Sequence, residues 1–397
     1  MFRDLQPAPD DPILALMARY RVDERAGKID LGVGVYRDEA GHTPILDCVR
    51  AAERMRLAEE DSKTYQGMAG DPAFNAAIES LALGEHAVRR EQRIFTAHTP
   101  GGTGALRVAA ELIRRCRPEA TVWLSDPTWG NHPGVFRAAG LKLGEYPYYD
   151  PASQDLRAEA MLETLARVPA GDVVLLQACC HNPSGVDIAD TLWPEIAVLA
   201  QRQGFVPLVD MAYQGLAKGL DEDAAGLRRL ADAVPEFLLC TSCSKNFGLY
   251  RERIGALSII TGSASQARIA GSVMLDVVRN FYSMPPAHGA AIVARILARP
   301  ALSTQWRQEL EAMRERIAHL RQLAVAQLAA AGAVGEFTFI GRQHGMFSFL
   351  GVNALQIRRL REEFAVYLLD SGRINVAGLN EANAGRFAHA VATVLDD

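Results

Sequence analysis

The chain has 397 residues, of which 49% are hydrophobic and 22% charged, with a formal net charge of -5. That length suits one large domain with a smaller one, and the composition is globular and not disordered. The mild acidity gives no electrostatic reason to expect nucleic acid or an anionic membrane as the main partner, and no run of about 18 apolar residues is present to span a bilayer.

The first segment, MFRDLQPAPDDPILALMARY, lacks a basic region followed by a long apolar run, so no secretory signal is read there. Six cysteines in a chain of this length are read as reduced thiols, with a cytoplasmic location as the expectation. Gly32-Val33-Gly34 lacks the third glycine of a dinucleotide fingerprint, because Arg37 stands where it should be. From about residue 93 to 260 short apolar runs alternate with helical patterns. The runs are RIFTAH (93–98), TVWLSD (121–126), DVVLLQACC (172–180), FVPLVDMAY (205–213), EFLLCTS (236–242) and IGALSII (254–260). Near-continuous apolarity is expected of strands buried on both faces. Helix-like segments such as 102–116 and 190–204 lie between them, which predicts a largely parallel sheet covered by helices.

After Pro300 the residues Leu302, Trp306, Leu310, Met313, Ile317, Leu320, Leu323 and Leu328 recur in steps of three to five. They predict one helix of about 30 residues and about 45 Å, ended by Gly332, with a domain boundary inside it. EFTFIG, GMFSFLG, REEFAVYLLDSG and GRINVAG follow and read as a small α+β unit.

The loop TPGGTGALR (99–107) leaves a strand and opens a helix, where glycine backbone and free N–H groups favour an anion. Gly104 is followed by Ala105 and not by lysine, so the loop is not a Walker loop and ATP is not expected. Three further segments end strands at the same edge, where α/β sheets bind ligands. CCHNPSG brings Asn182, LVDMAYQG brings Asp210 and Tyr213, and SCSKNFGLYRER brings Ser242, Ser244, Lys245 and Arg253. Singly, each has a plain structural explanation as a turn, a cap or a surface charge. Together they match one cofactor, pyridoxal phosphate. Its aldehyde needs a lysine amine, its ring nitrogen a carboxylate, its phenolate oxygen neutral donors, and its phosphate hydroxyls, backbone N–H groups and an arginine.

The same ordered motifs, from DPILALM and LGVGVYRDEAG through SDPTWGNH and PPAHGA to LREEFAVY and SGRINVAG, resemble class I aminotransferases of fold type I, in the aspartate/aromatic-amino-acid subgroup. The resemblance runs nearly end to end. It implies an α/β fold with a large cofactor-binding domain over 38–312, and a small domain made of 1–37, with an N-terminal arm, and 313–397. Position by position, it implies that Lys245 is the Schiff-base lysine and proton shuttle. Asp210 would hold the pyridinium nitrogen with His132 behind it, while Tyr213 and Asn182 would donate to the phenolate oxygen and Trp129 would stack on the ring. Gly102, Thr103, Ser242, Ser244 and Arg253 would form the phosphate cup, with Tyr65 arriving from the other subunit of a homodimer with shared active sites. Arg373 would fork onto the substrate α-carboxylate, near Asn182, Trp129 and Gly34, and Arg279 of the neighbouring subunit would meet a distal carboxylate.

Four positions qualify the resemblance. HNPSG stands for the commoner HNPTG and keeps the hydroxyl; Gln177 stands where a histidine is often found. Met284 replaces the asparagine usual in aspartate-selective members, whereas Arg37 and Thr43 resemble the aspartate-type rim. The expected activity is therefore ping-pong amino transfer from tyrosine or phenylalanine, with aspartate as a secondary substrate, to 2-oxoglutarate or oxaloacetate. A dedicated aspartate aminotransferase is the alternative. From other classes, a cofactor-binding lyase or regulator remains open on the same lysine. So does a zinc or redox protein using Cys240 and Cys243, since Cys240-Thr-Ser-Cys243 is a C-x-x-C.

Overall fold

The computed structural model describes residues 1–3, 5–7 and 10–396. It divides into two compact units, Pro44–Glu315 and Met1–Thr43 with Arg316–Asp397. The second division falls within the 31-residue helix Pro300–Ala330.

The larger unit is built on seven strands: β1 (Ile94–Pro100), β2 (Thr121–Asp126), β3 (Lys142–Pro147), β4 (Val173–Gln177), β5 (Val206–Met211), β6 (Phe237–Ser242) and β7 (Ile254–Ile260). They lie in the order β1-β7-β6-β5-β4-β2-β3. Five strands pair in parallel from β6 across to β3, while β7 runs antiparallel to both β1 and β6. Every residue of β4, β6 and β7 is buried, as strands covered on two faces require. Val173, Leu175, Leu208, Leu238 and Leu257 pack with Leu106, Ala109, Ile113 and Met274 of the flanking helices. Each of the valine, leucine, isoleucine and methionine side chains contributes about 1.5–3 kcal/mol by leaving water.

The apolar runs at 172–180 and 205–213 end as strands at Gln177 and Met211. Beyond those points the chain turns, and the residues with chemistry sit in the turns. The β6–β7 connection contains no helix, so β7 must return antiparallel instead of crossing over. Glycine marks the place where this strand is crowded. A Cβ on Gly255 would lie 2.5 Å from the carbonyl carbon of Gly101 and 2.6 Å from the oxygen of Thr241. The loop before the helix Gly101–Cys116 is thereby pressed onto the sheet.

The smaller unit contains the parallel pair Ile29–Asp30 with Val366–Tyr367 and the antiparallel pair Phe347–Phe349 with Arg373–Asn375. Arg321, 2% exposed, donates to the carbonyls of Gly345, Ile340, His344 and Phe347, which holds the segment leading into the second pair. Among the described residues no helix is long and apolar enough to cross a membrane.

Adding a methyl group at Gly255 meets backbone on both sides, so neither neighbour can rotate away. Gly255→Ala is expected to lower stability by about 1–3 kcal/mol, read from the midpoint of urea unfolding. An unchanged midpoint would show that the 99–102 loop yields at no cost.

Candidate active site

Lys245 follows β6 and is only half-buried, with Nζ 4.6 Å from the ring centroid of Tyr213. Its loop is held from below. Asn246 donates through Nδ2 to the carbonyl of Gln214 at 3.2 Å, and the indole N–H of Trp306 donates to the carbonyl of Asn246 at 2.8 Å. Phe247 stacks on Trp306 with ring centroids 4.4 Å apart and planes 6° apart. A flexible side chain thus stands on a fixed backbone.

Asp210 lies on β5 and is 8% exposed. One of its carboxylate oxygens is 3.1 Å from Nε2 of His132, whose Nδ1 is 2.7 Å from the hydroxyl of Thr128. A carboxylate can only accept, so Nε2 carries the proton; in the neutral ring Nδ1 then accepts from Thr128. The ring of His132, fully buried, stands edge-on to Trp129 at 5.2 Å. Across the next turn, Asn182 donates through Nδ2 to the hydroxyl of Tyr213 at 3.3 Å.

A third group surrounds the N-terminus of the helix Gly101–Cys116. Gly101 has φ 76°, and a Cβ there would lie 2.4 Å from Nη2 of Arg253. A Cβ on Gly102 would lie 3.1 Å from Cβ of Ser242, whose hydroxyl donates to that of Ser244 at 3.1 Å. Arg253 itself takes a positive φ of 54° and donates to the carbonyl of Tyr250 at 2.8 Å. Two hydroxyls and a guanidinium are therefore gathered at the N-terminus of this helix, where the first N–H groups, that of Thr103 among them, have no intrahelical acceptor.

In the smaller unit, Arg373 is 4% exposed, donates to the carbonyl of Gly32 at 2.7 Å and lies 4.4 Å above the ring of Phe347. Gly34 sits where a Cβ would be 3.0 Å from the same ring. Arg37 is ion-paired with Asp30, and the hydroxyl of Thr43 donates to the carbonyl of Tyr36 at 3.1 Å. Tyr65 and Arg279 are both exposed. Tyr65 is 90% exposed, and Arg279, at the end of the helix Ala264–Phe281, donates to the hydroxyl of Ser283 at 2.8 Å.

Known proteins can be set beside this geometry. The family model for aminotransferase class I and II matches residues 26–391. The chain belongs to this family. It is an aminotransferase, and the family works with pyridoxal phosphate. It is 48% identical to the aspartate aminotransferase of Salmonella typhi, with both chains fully covered. It is also 48% identical to the aromatic-amino-acid aminotransferase of Pseudomonas aeruginosa, covering 100% of this chain and 99% of that one. Among solved structures, the aromatic-amino-acid aminotransferase of Burkholderia pseudomallei, covalently bound to pyridoxal phosphate, superposes with TM-score 0.98 at 43% identity, over 100% of this chain and 99% of that one.

The residues present in this aminotransferase fit that cofactor. The crowded glycines and Arg253 suit a dianionic phosphate, and a carboxylate with about four lone-pair sites keeps room for a ring N–H beside His132. The sequence assigned no site role to Thr128 or to the pair His181–Ser184, and marked Trp306 only as part of the long helix's apolar stripe. His181 is stacked on Tyr148 at 4.0 Å, bonded to Ser125 at 3.1 Å and Ser184 at 2.7 Å, and held down to about 3 chiefly by burial. It is a neutral structural ring. The serine of HNPSG is therefore in use as a hydrogen-bond partner.

Cys240 and Cys243 are buried thiols whose proton affinity burial pushes up, and among the described residues no third ligand joins them. Cys179, Cys180 and Asp223 do place ligand atoms within 4.8 Å of one another. The Asp223 carboxylate already accepts from the backbone N–H groups of Gly215, Ala217 and Lys218, at 2.8, 3.0 and 2.8 Å, which makes it a loop anchor.

His98, on the strand that leads into the glycine loop, is fully buried against Phe74, and neither ring nitrogen has a hydrogen-bond partner among the described residues. Burial lowers it from 6.5 to about 4. Below pH 6.5 the unfolded chain takes up a proton that the folded chain refuses, so stability falls as pH drops from 6.5 to about 4 and levels off once both states are protonated. His98 should account for up to about 3 kcal/mol of acid destabilisation. His98→Met is expected to flatten unfolding free energy against pH between 6.5 and about 4; an unchanged slope would contradict the assignment.

Proposed function

We propose that this aminotransferase moves the amino group of an aromatic amino acid, tyrosine or phenylalanine, with aspartate as a secondary donor, to 2-oxoglutarate or oxaloacetate. The observation that carries the chemistry is the placing of Lys245 beside Tyr213, with the buried Asp210 on the neighbouring strand bonded to His132. Pyridoxal phosphate supplies an aldehyde that condenses with an amine and a protonated ring that takes up the electron pair of a breaking Cα–H bond.

The chain's own residues then divide the work. Lys245 would hold the cofactor through its amine, and the same amine would carry the proton away from Cα and return it. Asp210, oriented by His132, keeps the ring nitrogen protonated. Asn182 and Tyr213 would donate to the ring's phenolate oxygen, and Trp129 would stack on the ring. Gly102, Thr103, Ser242, Ser244 and Arg253 would hold the phosphate. The planar fork of Arg373 suits an α-carboxylate better than a lysine could, with the backbone of Gly34 completing the substrate's surroundings.

Tyr65 and Arg279 project from the surface of a single chain, which supports a homodimer whose partners lend these two residues to each other's sites. All six cysteines are free thiols, in keeping with a cytoplasmic location. The aromatic preference rests on Met284, an apolar side chain five residues beyond Arg279, and on Arg37 being engaged by Asp30. A dedicated aspartate aminotransferase is the second reading, favoured by the retention of Arg279 itself.

Adding glutamate to the holoenzyme is expected to convert the absorbance of the lysine-bound cofactor to that of its amine form, with one equivalent of keto acid released. Lys245→Ala should abolish the conversion, and no spectral change in the unaltered protein would refute amino transfer. For the substrate, Arg279→Ala should cut kcat/KM for aspartate by about 100-fold or more, through loss of a charge-assisted pair, and that for phenylalanine by less than about fivefold. Equal losses would make Arg279 a structural residue, and a higher kcat/KM for aspartate than for phenylalanine and tyrosine in the unaltered enzyme would favour the second reading.

A further inference from the structure

Gln177 ends β4 and is 6% exposed. Its amide meets both backbone groups of one residue: Nε2 donates to the carbonyl of Asn182 at 3.0 Å, and Oε1 accepts from the N–H of Asn182 at 2.9 Å. A single hydrogen bond fixes a distance. Two from one planar amide also fix the rotation of the backbone to which they bind. On the neighbouring strand Gln177 stands in register with Asp210, so the clamp ties Asn182 to the part of the sheet that carries the buried carboxylate. The rest of the turn is held separately. The ring Nδ1 of His181 shares a hydrogen bond with the hydroxyl of Ser184 at 2.7 Å, and the backbone N–H of His181 donates to Asp187 at 2.8 Å. Those bonds anchor the flanking residues, while Gln177 grips both backbone groups of Asn182.

We propose that Gln177 is a positioning residue that aims the side-chain amide of Asn182 at the phenolate oxygen of the cofactor and at Tyr213. This rests on the reading of Asn182 as a donor to that oxygen. Gln177 acts through Asn182 and does not touch the cofactor. An uncharged amide suits the task, because it keeps both bonds at every pH, whereas an imidazole in the same place would change its donors on protonation. Donors to the phenolate oxygen favour its deprotonated form, so a correctly aimed Asn182 lowers the pH at which the lysine-bound cofactor changes colour. Releasing the clamp should raise that pH.

The test is a spectrophotometric titration of the holoenzyme without substrate, made on the unaltered protein, Gln177→Leu, Asn182→Ala and the double variant. Asn182→Ala is expected to raise the midpoint by about one pH unit and Gln177→Leu by about half a unit or more, with the double variant no higher than Asn182→Ala alone. Gln177→Met keeps the length without the bonds and serves if the leucine variant does not fold; Gln177→His, which can restore one bond, should fall between. A midpoint unmoved by Asn182→Ala overturns the reading of Asn182 itself. A midpoint moved by Asn182→Ala but not by the Gln177 variants overturns the positioning role, even if their melting temperatures drop. Fully additive shifts would also overturn it, because Gln177 would then act by a route that does not pass through Asn182.

Discussion

A carboxylate buried in the middle of a sheet is costly unless a donor answers it. Asp210 is in that position on β5, with the uncharged Gln177 and Cys240 beside it in register, and the donor that answers is His132. His132 is itself fixed by Thr128 and flanked by Trp129. Because the pair is internal, the strands on either side must be aligned to it within a fraction of a residue. The parallel sheet supplies that alignment and delivers Asn182 and Lys245 from the ends of the neighbouring strands.

The phosphate end of the site depends on the opposite property, the absence of side chains. Gly101, Gly102 and Gly255 allow the loop, β6 and β7 to approach at backbone distance, and the guanidinium of Arg253 rests where a Cβ on Gly101 would be. The buried Asp210–His132 pair stands to one side of Lys245 in the strand order, and the bare backbone cradle to the other. Lys245 lies on a strand end between them, and its backbone is pinned by Trp306 and Phe247.

Legibility in the sequence followed burial. Strands covered on both faces announce themselves as unbroken apolar runs, so β1, β2, β4, β5, β6 and β7 were all readable. The edge strand β3, KLGEYP, is half-exposed and mixes a lysine and a glutamate with its apolar residues, so no run marks it. The two-residue pairing of Ile29–Asp30 with Val366–Tyr367 joins segments more than 330 positions apart and leaves no local trace. Lys245, Asp210 and Asn182 were visible as polar residues misplaced at the ends of apolar runs. Gln177 was visible only as an oddity, because its function is a contact with backbone, and backbone has no letter in a sequence.

The sequence by itself determined the chemistry: an amine, a carboxylate, two neutral donors and an anion cradle occur in an order that one cofactor satisfies. It did so because residue types carry their functional groups and hydrogen-bonding capacity with them wherever they stand. Only the tertiary structure decided which partner each group uses. Asp210 could have been a cap and is instead bonded to His132; Arg37 could have faced substrate and is paired with Asp30; Gln177 could have faced solvent and clamps Asn182. Those choices are made by distances of a few ångströms between segments remote in the chain, and they are fixed only when the sheet has closed around them.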